Sequence, residues 1–427
     1  MDSMIVKQEV FMAGIELPTP FPLAFGTLQV LPRVFVKLTV HGRQGEFDAI
    51  GEASMDFPFS HYDAWDIFVA LRNIDLVGAY VSDREKLLLS LEQRGLMEFP
   101  SAYAAMNMAL DDAFGKFFEV NTVEIYGGSV RRQGRVLESL SFSQSEKLLL
   151  KRIADIVASG RLPKIKAGIN PLNDASYLLA ANRLAQQEGF NFAVDFNAAY
   201  SAENFTLFAD QLTGFQQCFQ NVLFLEQPIL YQLGIAGLKQ AKAVLQQRGL
   251  MIPIMADEVF VSAQDAIECH LQSILLNYKI QKVGGILKAL EIEKTLENSI
   301  MPSMVGGTFP TAIGRVWDQQ ALCVLKSSSL PSDGWQPASD WFAGDKHFIH
   351  EAFKAKGGFS YALSGHGLGC SVAWDRLEKY VIPDPHFEYT AIRHNLPGNI
   401  LKVRLNTNTS YSALYTRLSG RTPDWNL

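Results

Sequence analysis

The sequence predicts an α/β protein, a (β/α)8 barrel preceded by a small α+β domain. Three observations carry this expectation. The N-terminal stretch reads as a strand meander followed by helices. From about Leu137, short apolar runs alternate with amphipathic helical stretches, as βαβ units do. About eight such runs fit into roughly 240 residues, which suits a closed barrel better than an open sheet.

Taken in order, VFMAGIEL and VLPRVFVKLTVHG carry β-branched and aromatic residues and are parted by Pro- and Gly-containing turns. The second run ends at His41-Gly42-Arg43-Gln44-Gly45, a hairpin turn, and AIGEAS returns as a strand. Residues 62–116 turn helical. There SAYAAMNMALDDAFGKFF has apolar residues at helical spacing and Gly115 near its end. These elements set a first domain over 1–130. The barrel is expected over 131–380, with strands in LSFS, LPKIKAG, NFAVDFN, VLFLEQP, IPIMADE, ILLNYKI, IMPSMVGG and YALSGHGLG. Residues 327–358, rich in Pro and Gly, read as a long excursion between the last two barrel strands, a candidate lid. The segment 381–427 contains strand-like EYTAIRH and NILKVRLN and is expected to pack back on the first domain.

Composition narrows the function classes. A net charge of -6 argues against a nucleic-acid partner and offers nothing to an anionic membrane. No apolar run is long enough to span a bilayer. The N-terminus has an acidic residue where a signal peptide would be basic. Cys218, Cys269, Cys323 and Cys370 are scattered, which predicts free thiols in a reducing cytoplasm. In that compartment the sequon at Asn408 has no meaning. No glycine-rich phosphate loop opens a strand–turn–helix unit, and no Gly-x-Ser-x-Gly elbow marks a serine hydrolase. A cytoplasmic enzyme acting on a small molecule, and a homo-oligomer, is expected.

The chemistry sits at the strand ends, where barrel enzymes build their sites. The second to sixth runs end in Lys164-Ile165-Lys166, Asp195-Phe196-Asn197, Glu226-Gln227-Pro228, Asp257-Glu258 and Lys279-Ile280-Gln281-Lys282. Lys166, Asp195, Glu226 and Asp257 follow one another at 29, 31 and 31 positions, one βα unit per step. Three carboxylates on adjacent strands repel one another unless a cation joins them. Such hard oxygen donors suit Mg2+, with Mn2+ as the alternative. Lysines flank the cluster on both sides, where two amines would serve as base and acid on opposite faces of a substrate's α-carbon.

This constellation resembles the enolase superfamily and, within it, the muconate-lactonizing subgroup. The match comprises Lys164-x-Lys166 with VDFN, LEQP, MADE and NYKIQKVGG. ELPTPFPLAFGT, GEAS and AMNMALDDAFGK resemble the signatures of that subgroup's capping domain, and SGHGLGCSV resembles its strand-eight segment. The resemblance implies metal ligands at Asp195, Glu226 and Asp257, an acid/base pair at Lys166 and Lys279, and Lys164 facing the substrate carboxylate. Asn197 and Glu258 look like supports for these groups, and Lys282 like a supporting or helix-start residue. Phe25, in the covering loop, and His366, at the expected mouth, are candidate substrate contacts, weighed against plain packing and solvation. His347 and His350 are expected at the surface.

There are departures from the pattern. Gly306-Gly307-Thr308-Phe309-Pro310-Thr311 lacks the acidic residue common after strand seven, and no histidine base follows that strand. The Asp-x-Asp with which dipeptide epimerases hold a substrate ammonium is missing; Asp340 is the nearest candidate, with Phe342 at its partner position. The family shares one first step, removal of a proton next to a carboxylate. The outcome is racemisation or epimerisation, dehydration of the o-succinylbenzoate synthase type, or cycloisomerisation. NYKIQKVGG tips the expectation to a racemase or epimerase of an amino-acid- or dipeptide-like acid. A non-catalytic barrel remains the reading from another class.

Overall fold

The computed structural model describes residues 3–382 apart from 24–25, 56–58, 144, 216–218, 297–300, 338–341 and 353. Phe25, Asp340, Cys218 and the tail 383–427 therefore lie outside the described residues.

Strands β1 (Ile5–Leu23), β2 (Gly26–Gly42) and β3 (Gly45–Ala53) form an antiparallel sheet in that order. The hairpin pairs Gly42 with Gly45, and Gly45 has φ 122, a left-handed conformation that favours glycine. The expected meander is thus present. Helices α1 (Ala64–Arg72), α2 (Arg84–Gln93), α3 (Pro100–Phe118) and α4 (Thr122–Ile125) follow. Alternation along β2 sends Val34, Val36, Leu38 and Val40 into one core with α1 and α3, and Phe35 into the barrel core. Helix α3 divides its contacts likewise: Ala105, Met106 and Ala109 face the sheet, and Ala104 and Met108 join the barrel core. Its surroundings demand small residues. A side chain at Gly51 would place its Cβ 1.9 Å from Ala105 O.

After the short β4 (Gln133–Arg135), the parallel sheet begins. Its order is β5 (Leu137–Leu140), β6 (Leu162–Lys166), β7 (Phe192–Asp195), β8 (Val222–Glu226), β9 (Ile254–Ala256), β10 (Leu275–Lys279), β11 (Ser303–Gly306). Helices α5 (Glu146–Ala158), α6 (Pro171–Glu188), α7 (Ala202–Asp210), α8 (Gly234–Gln247) and α9 (Ala263–Leu271) connect them. Then come α10 (Ile280–Val283), α11 (Ile286–Thr295) and, after β11, α12 (Ala312–Val324). With the antiparallel sheet packed beside it, this is the (β/α)8 barrel with an N-terminal cap that the sequence predicts.

The eighth strand is not where the sequence suggested. YALSGHGLG contributes only its first residue, Tyr361, to β12 (Phe359–Tyr361), which pairs antiparallel with β4, outside the barrel sheet. The place between β11 and β5 is taken instead by the start of the supposed excursion. Ser303 N donates to Ser327 O at 2.8 Å and Leu330 N to Ser303 O at 3.1 Å. Ser332 bridges Val136 in parallel, and its O accepts from Leu137 N at 3.2 Å. The segment SSSLPS has no apolar run and contains Pro331, so nothing local marks it as a strand. Its pairing is created by closure of the barrel.

The described chain ends against the cap: Val381 bridges Ala13, and Ile382 N donates to Met12 O at 2.8 Å.

Candidate active site

Strands β6 to β10 carry their charged ends to one rim. Register places Lys166 beside Asp195 and Asp195 beside Glu226 on neighbouring strands. Asn197 and Gln227 then take left-handed backbones, φ 45 and 36, immediately beyond Asp195 and Glu226. For residues other than glycine, such conformations persist where surrounding structure enforces them. Here the enforcement is visible: Ala198 N donates to Gln227 O at 2.9 Å, Gln227 N to Met255 O at 2.9 Å, and Asp257 N to Gln227 Oε1 at 3.1 Å.

Each carboxylate is held by amines. Lys166 Nζ lies 2.6 Å from Asp195 Oδ2 and donates to Asn197 Oδ1 at 2.6 Å. Lys164 Nζ reaches Glu226 Oε2 at 3.0 Å and Asp333 Oδ2 at 2.9 Å. Asp257 meets two lysines, Lys279 at 2.7 Å and Lys282 at 2.6 Å. Asn197 Nδ2 donates to Glu258 Oε1 at 3.3 Å. All these residues except Asp333 are buried. Burial opposes ionisation of Asp195, yet Lys166 and Lys164 hold its carboxyl below the usual range. Burial likewise opposes ionisation of Asp257, and Lys279 and Lys282 override it strongly. Glu226 behaves differently. Burial and the negative charge of Asp195, reinforced by Asp257 and Asp333, push it up to about 8 despite Lys164. Burial would lower Lys164, but Asp333, Glu226 and Asp195 keep it well above its ordinary value.

The donor set fits a hard divalent cation. Among the described residues, no three carboxylate, histidine or cysteine side chains stand together as a formed cation cage. The carboxylates are instead turned to the lysines. Asp195, Glu226 and Asp257 nonetheless supply oxygen donors from three adjacent strands. The upward push on Glu226 is the direction that crowded, buried carboxylates produce.

The cap docks on the segment between β11 and α12 through specific contacts. The Glu52 carboxylate accepts from Thr311 N at 2.8 Å, Thr311 Oγ1 at 2.5 Å and Gly314 N at 2.9 Å, which caps α12. Arg33 donates to Thr308 O at 2.8 Å and Phe309 O at 2.7 Å. Ser54 Oγ hydrogen-bonds Thr308 Oγ1. GEAS is thus the seam between cap and barrel.

The structure brings together Lys164, Lys166, Asp195, Asn197, Glu226, Asp257, Glu258 and Lys279, as the spacing suggested. His366 does not join them. It is exposed, in a loop whose Gly367 N donates to Val120 O at 2.9 Å and whose Gly367 O accepts from Thr122 N at 2.9 Å. The substrate contact expected of it has no support in this placement, because its segment is not the eighth barrel strand. Three residues escaped the sequence reading. Asp333 stands where the closing strand ends. Asn277 Nδ2 donates to Glu226 Oε1 at 2.7 Å while its Oδ1 accepts from Gly306 N at 2.7 Å. Gln281 links to the cap. Asn277 was findable, since it is two residues before Lys279 and so faces the same side of β10; Asp333 was not, without the closing strand.

Comparison with known proteins agrees with this geometry. Residues 151–376 match the family described as enolase C-terminal domain-like, over half of the chain. An o-succinylbenzoate synthase of Listeria innocua is 23% identical over 397 residues, covering 88% of this chain and 95% of that protein. An L-Ala-D/L-amino acid epimerase of Maribacter sp. is 24% identical over 302 residues, covering 70% and 82%. In fold, muconate lactonizing enzyme from Pseudomonas fluorescens, solved with muconolactone, superposes with a TM-score of 0.77 at 21% identity, covering 90% of this chain and all of that one. With the cap, the barrel and the lysine–carboxylate rim in place, the chain belongs to the enolase C-terminal domain-like family and is an enzyme of the enolase superfamily, whose shared chemistry is removal of a proton next to a carboxylate.

Proposed function

We propose that this enzyme removes the α-proton of an amino-acid- or dipeptide-like carboxylic acid and returns a proton on the opposite face, as a racemase or epimerase. One observation carries the reading. Counting the closing segment, the barrel has eight positions, and β6 and β10 are four apart in either direction. Lys166 and Lys279 therefore approach the mouth from opposite sides, with the three carboxylates between them along one arc. In this reading Lys166 and Lys279 exchange the roles of base and acid, and Lys164 neutralises the substrate carboxylate. Asp195, Glu226 and Asp257 would hold Mg2+, or Mn2+ in its place. Bound there, the metal stabilises the charge that develops on the carboxylate. Asn197 and Glu258 brace Lys166, and Asn277 aims Glu226. Asp333, a carboxylate at the end of the closing strand, has the right charge to meet a substrate ammonium once Lys164 turns to the substrate.

A dehydration of the o-succinylbenzoate synthase type is the second reading, favoured by the greater coverage of the synthase relative. The test that separates them is a screen in D2O with Mg2+ of dipeptides in both configurations, N-acylamino acids and β-hydroxy acids. Deuterium at the α-carbon of both epimers, with interconversion, is expected. Loss of water without interconversion would replace this reading with the second.

A further inference from the structure

We propose that Gln281 is a positioning residue that ties Lys279, unlike Lys166, to the cap, so that cap docking governs proton transfer on one face of the substrate. The proposal rests on the two-lysine reading above.

The observations lie in the backbone that leaves each strand. Gln281 is 3% exposed and uses both ends of its amide on the cap: Nε2 donates to Glu52 O at 2.9 Å, and Oε1 accepts from Ser54 N at 3.1 Å. The side chain thus reads the end of β3 as a neighbouring strand would. Ser101 Oγ, on α3, lies 3.3 Å from both Ser54 O and Gln281 O. One turn on, Gly284 and Gly285 have φ 90 and 111, and a Cβ on Gly285 would stand 2.4 Å from Asn107 Oδ1 of α3. These contacts explain the KVGG that follows the lysine: the loop lies flat on the cap's helix. Only buried Ile280 separates Gln281 from Lys279, so a shift of one moves the other.

The other lysine is secured differently. Beyond Lys166, Asp174 Oδ2 accepts from Gly168 N at 2.8 Å, Ile169 N at 3.1 Å and Asn170 N at 3.2 Å, and Tyr200 OH bonds the same oxygen. Ala167 N donates to Asp195 O at 2.8 Å. All of these are barrel residues. Perturbing the seam at Gln281 should therefore displace Lys279 and leave Lys166 in place. Proton transfer is sensitive to such displacement, about a hundredfold for an ångström.

The experiment uses the full chain carrying Gln281→Met, which keeps the volume and removes both hydrogen bonds. Backbone amide hydrogen exchange is followed in the peptides covering 275–287 and 160–175. Alongside, α-proton exchange is followed in D2O with Mg2+, using L-Ala-L-Glu and L-Ala-D-Glu as probes. Lys279→Ala identifies the epimer whose proton Lys279 removes. Faster amide exchange in 275–287 alone, with about a tenfold loss of α-proton exchange for that epimer and little change for the other, is the expected result. Unchanged amide exchange in 275–287, or equal losses on both epimers at an unaltered melting temperature, overturns the proposal. Should the wild-type enzyme exchange neither probe, the functional reading fails for these substrates, and the amide exchange alone decides the link.

Discussion

The two lysines that face each other across the barrel mouth are anchored in different bodies. The exit of β6 is folded onto a buried barrel carboxylate, Asp174, which gathers three backbone N–H groups and a tyrosine hydroxyl. The exit of β10 is stitched to β3 and α3 of the cap through Gln281, Ser101 and Asn107. The barrel thus builds one half of the site by itself and completes the other half with its neighbour. The lesson is that a barrel's symmetry in strand order does not make its rim symmetrical in what supports it.

The comparison makes predictions, the largest concerning the lysines themselves. Lys166→Ala and Lys279→Ala each lower turnover by about a thousandfold while Mg2+ binding, measured by calorimetry, stays close to wild type. Full activity in either variant would remove that side from the chemistry. Next comes the seam. Glu52 is fully buried, and its removal takes the acceptor from Thr311 N and Gly314 N at the start of α12 and the counter-charge from Arg33, 3.7 Å away. Glu52→Ala is expected to lower unfolding stability by about 3 kcal/mol in urea titrations. A loss near zero would mean the cap does not depend on this joint.

On the barrel side, Asp174→Ala is expected to cost about 2 kcal/mol, since several backbone donors lose their acceptor. If the two exits are independent, it slows α-proton exchange of the epimer served by Lys166 and spares the other. The smallest effect is a pH dependence at α12, the helix that Glu52 caps. Burial, with Glu52 and Asp333 adding to it against Arg315, pushes Asp318 up to about 8. The folded state therefore holds a proton that the unfolded chain releases near the ordinary carboxylate value. This contribution to stability is complete below that value and is lost as pH rises towards about 8. Unfolding free energy should fall as pH rises from about 6 to about 8, a dependence that Asp318→Asn makes shallower. An identical slope in the variant would assign it elsewhere.

Much of the site was legible because its signal is local. A strand that is apolar until its last residue and then charged announces a mouth, and Lys164, Lys166, Asp195, Glu226, Asp257 and Lys279 each sit at such a break. Lys282 shows the limit of that signal. Read as a support or helix start, it proves to grip Asp257 at both the side chain and the carbonyl, 2.6 and 2.5 Å. His366 marks another limit: its glycine-rich segment resembles a strand end, which suggested a place at the mouth, and the chain carries it to an exposed loop beside α4, in keeping with the solvated reading weighed against it.

The sequence alone determined the order of elements, the fold class and the residue types at the rim. Hydrophobic periodicity and abrupt charge are properties of neighbours in the chain. Tertiary structure decided which polar segment closes the barrel, which partner each lysine takes and which half of the mouth the cap supports. Ser327 to Ser332 fills the gap only because β5 and β11 stand open on either side of it, offering the backbone groups that it pairs with. Asp333 meets Lys164 across 169 positions of sequence, a contact that no local pattern encodes.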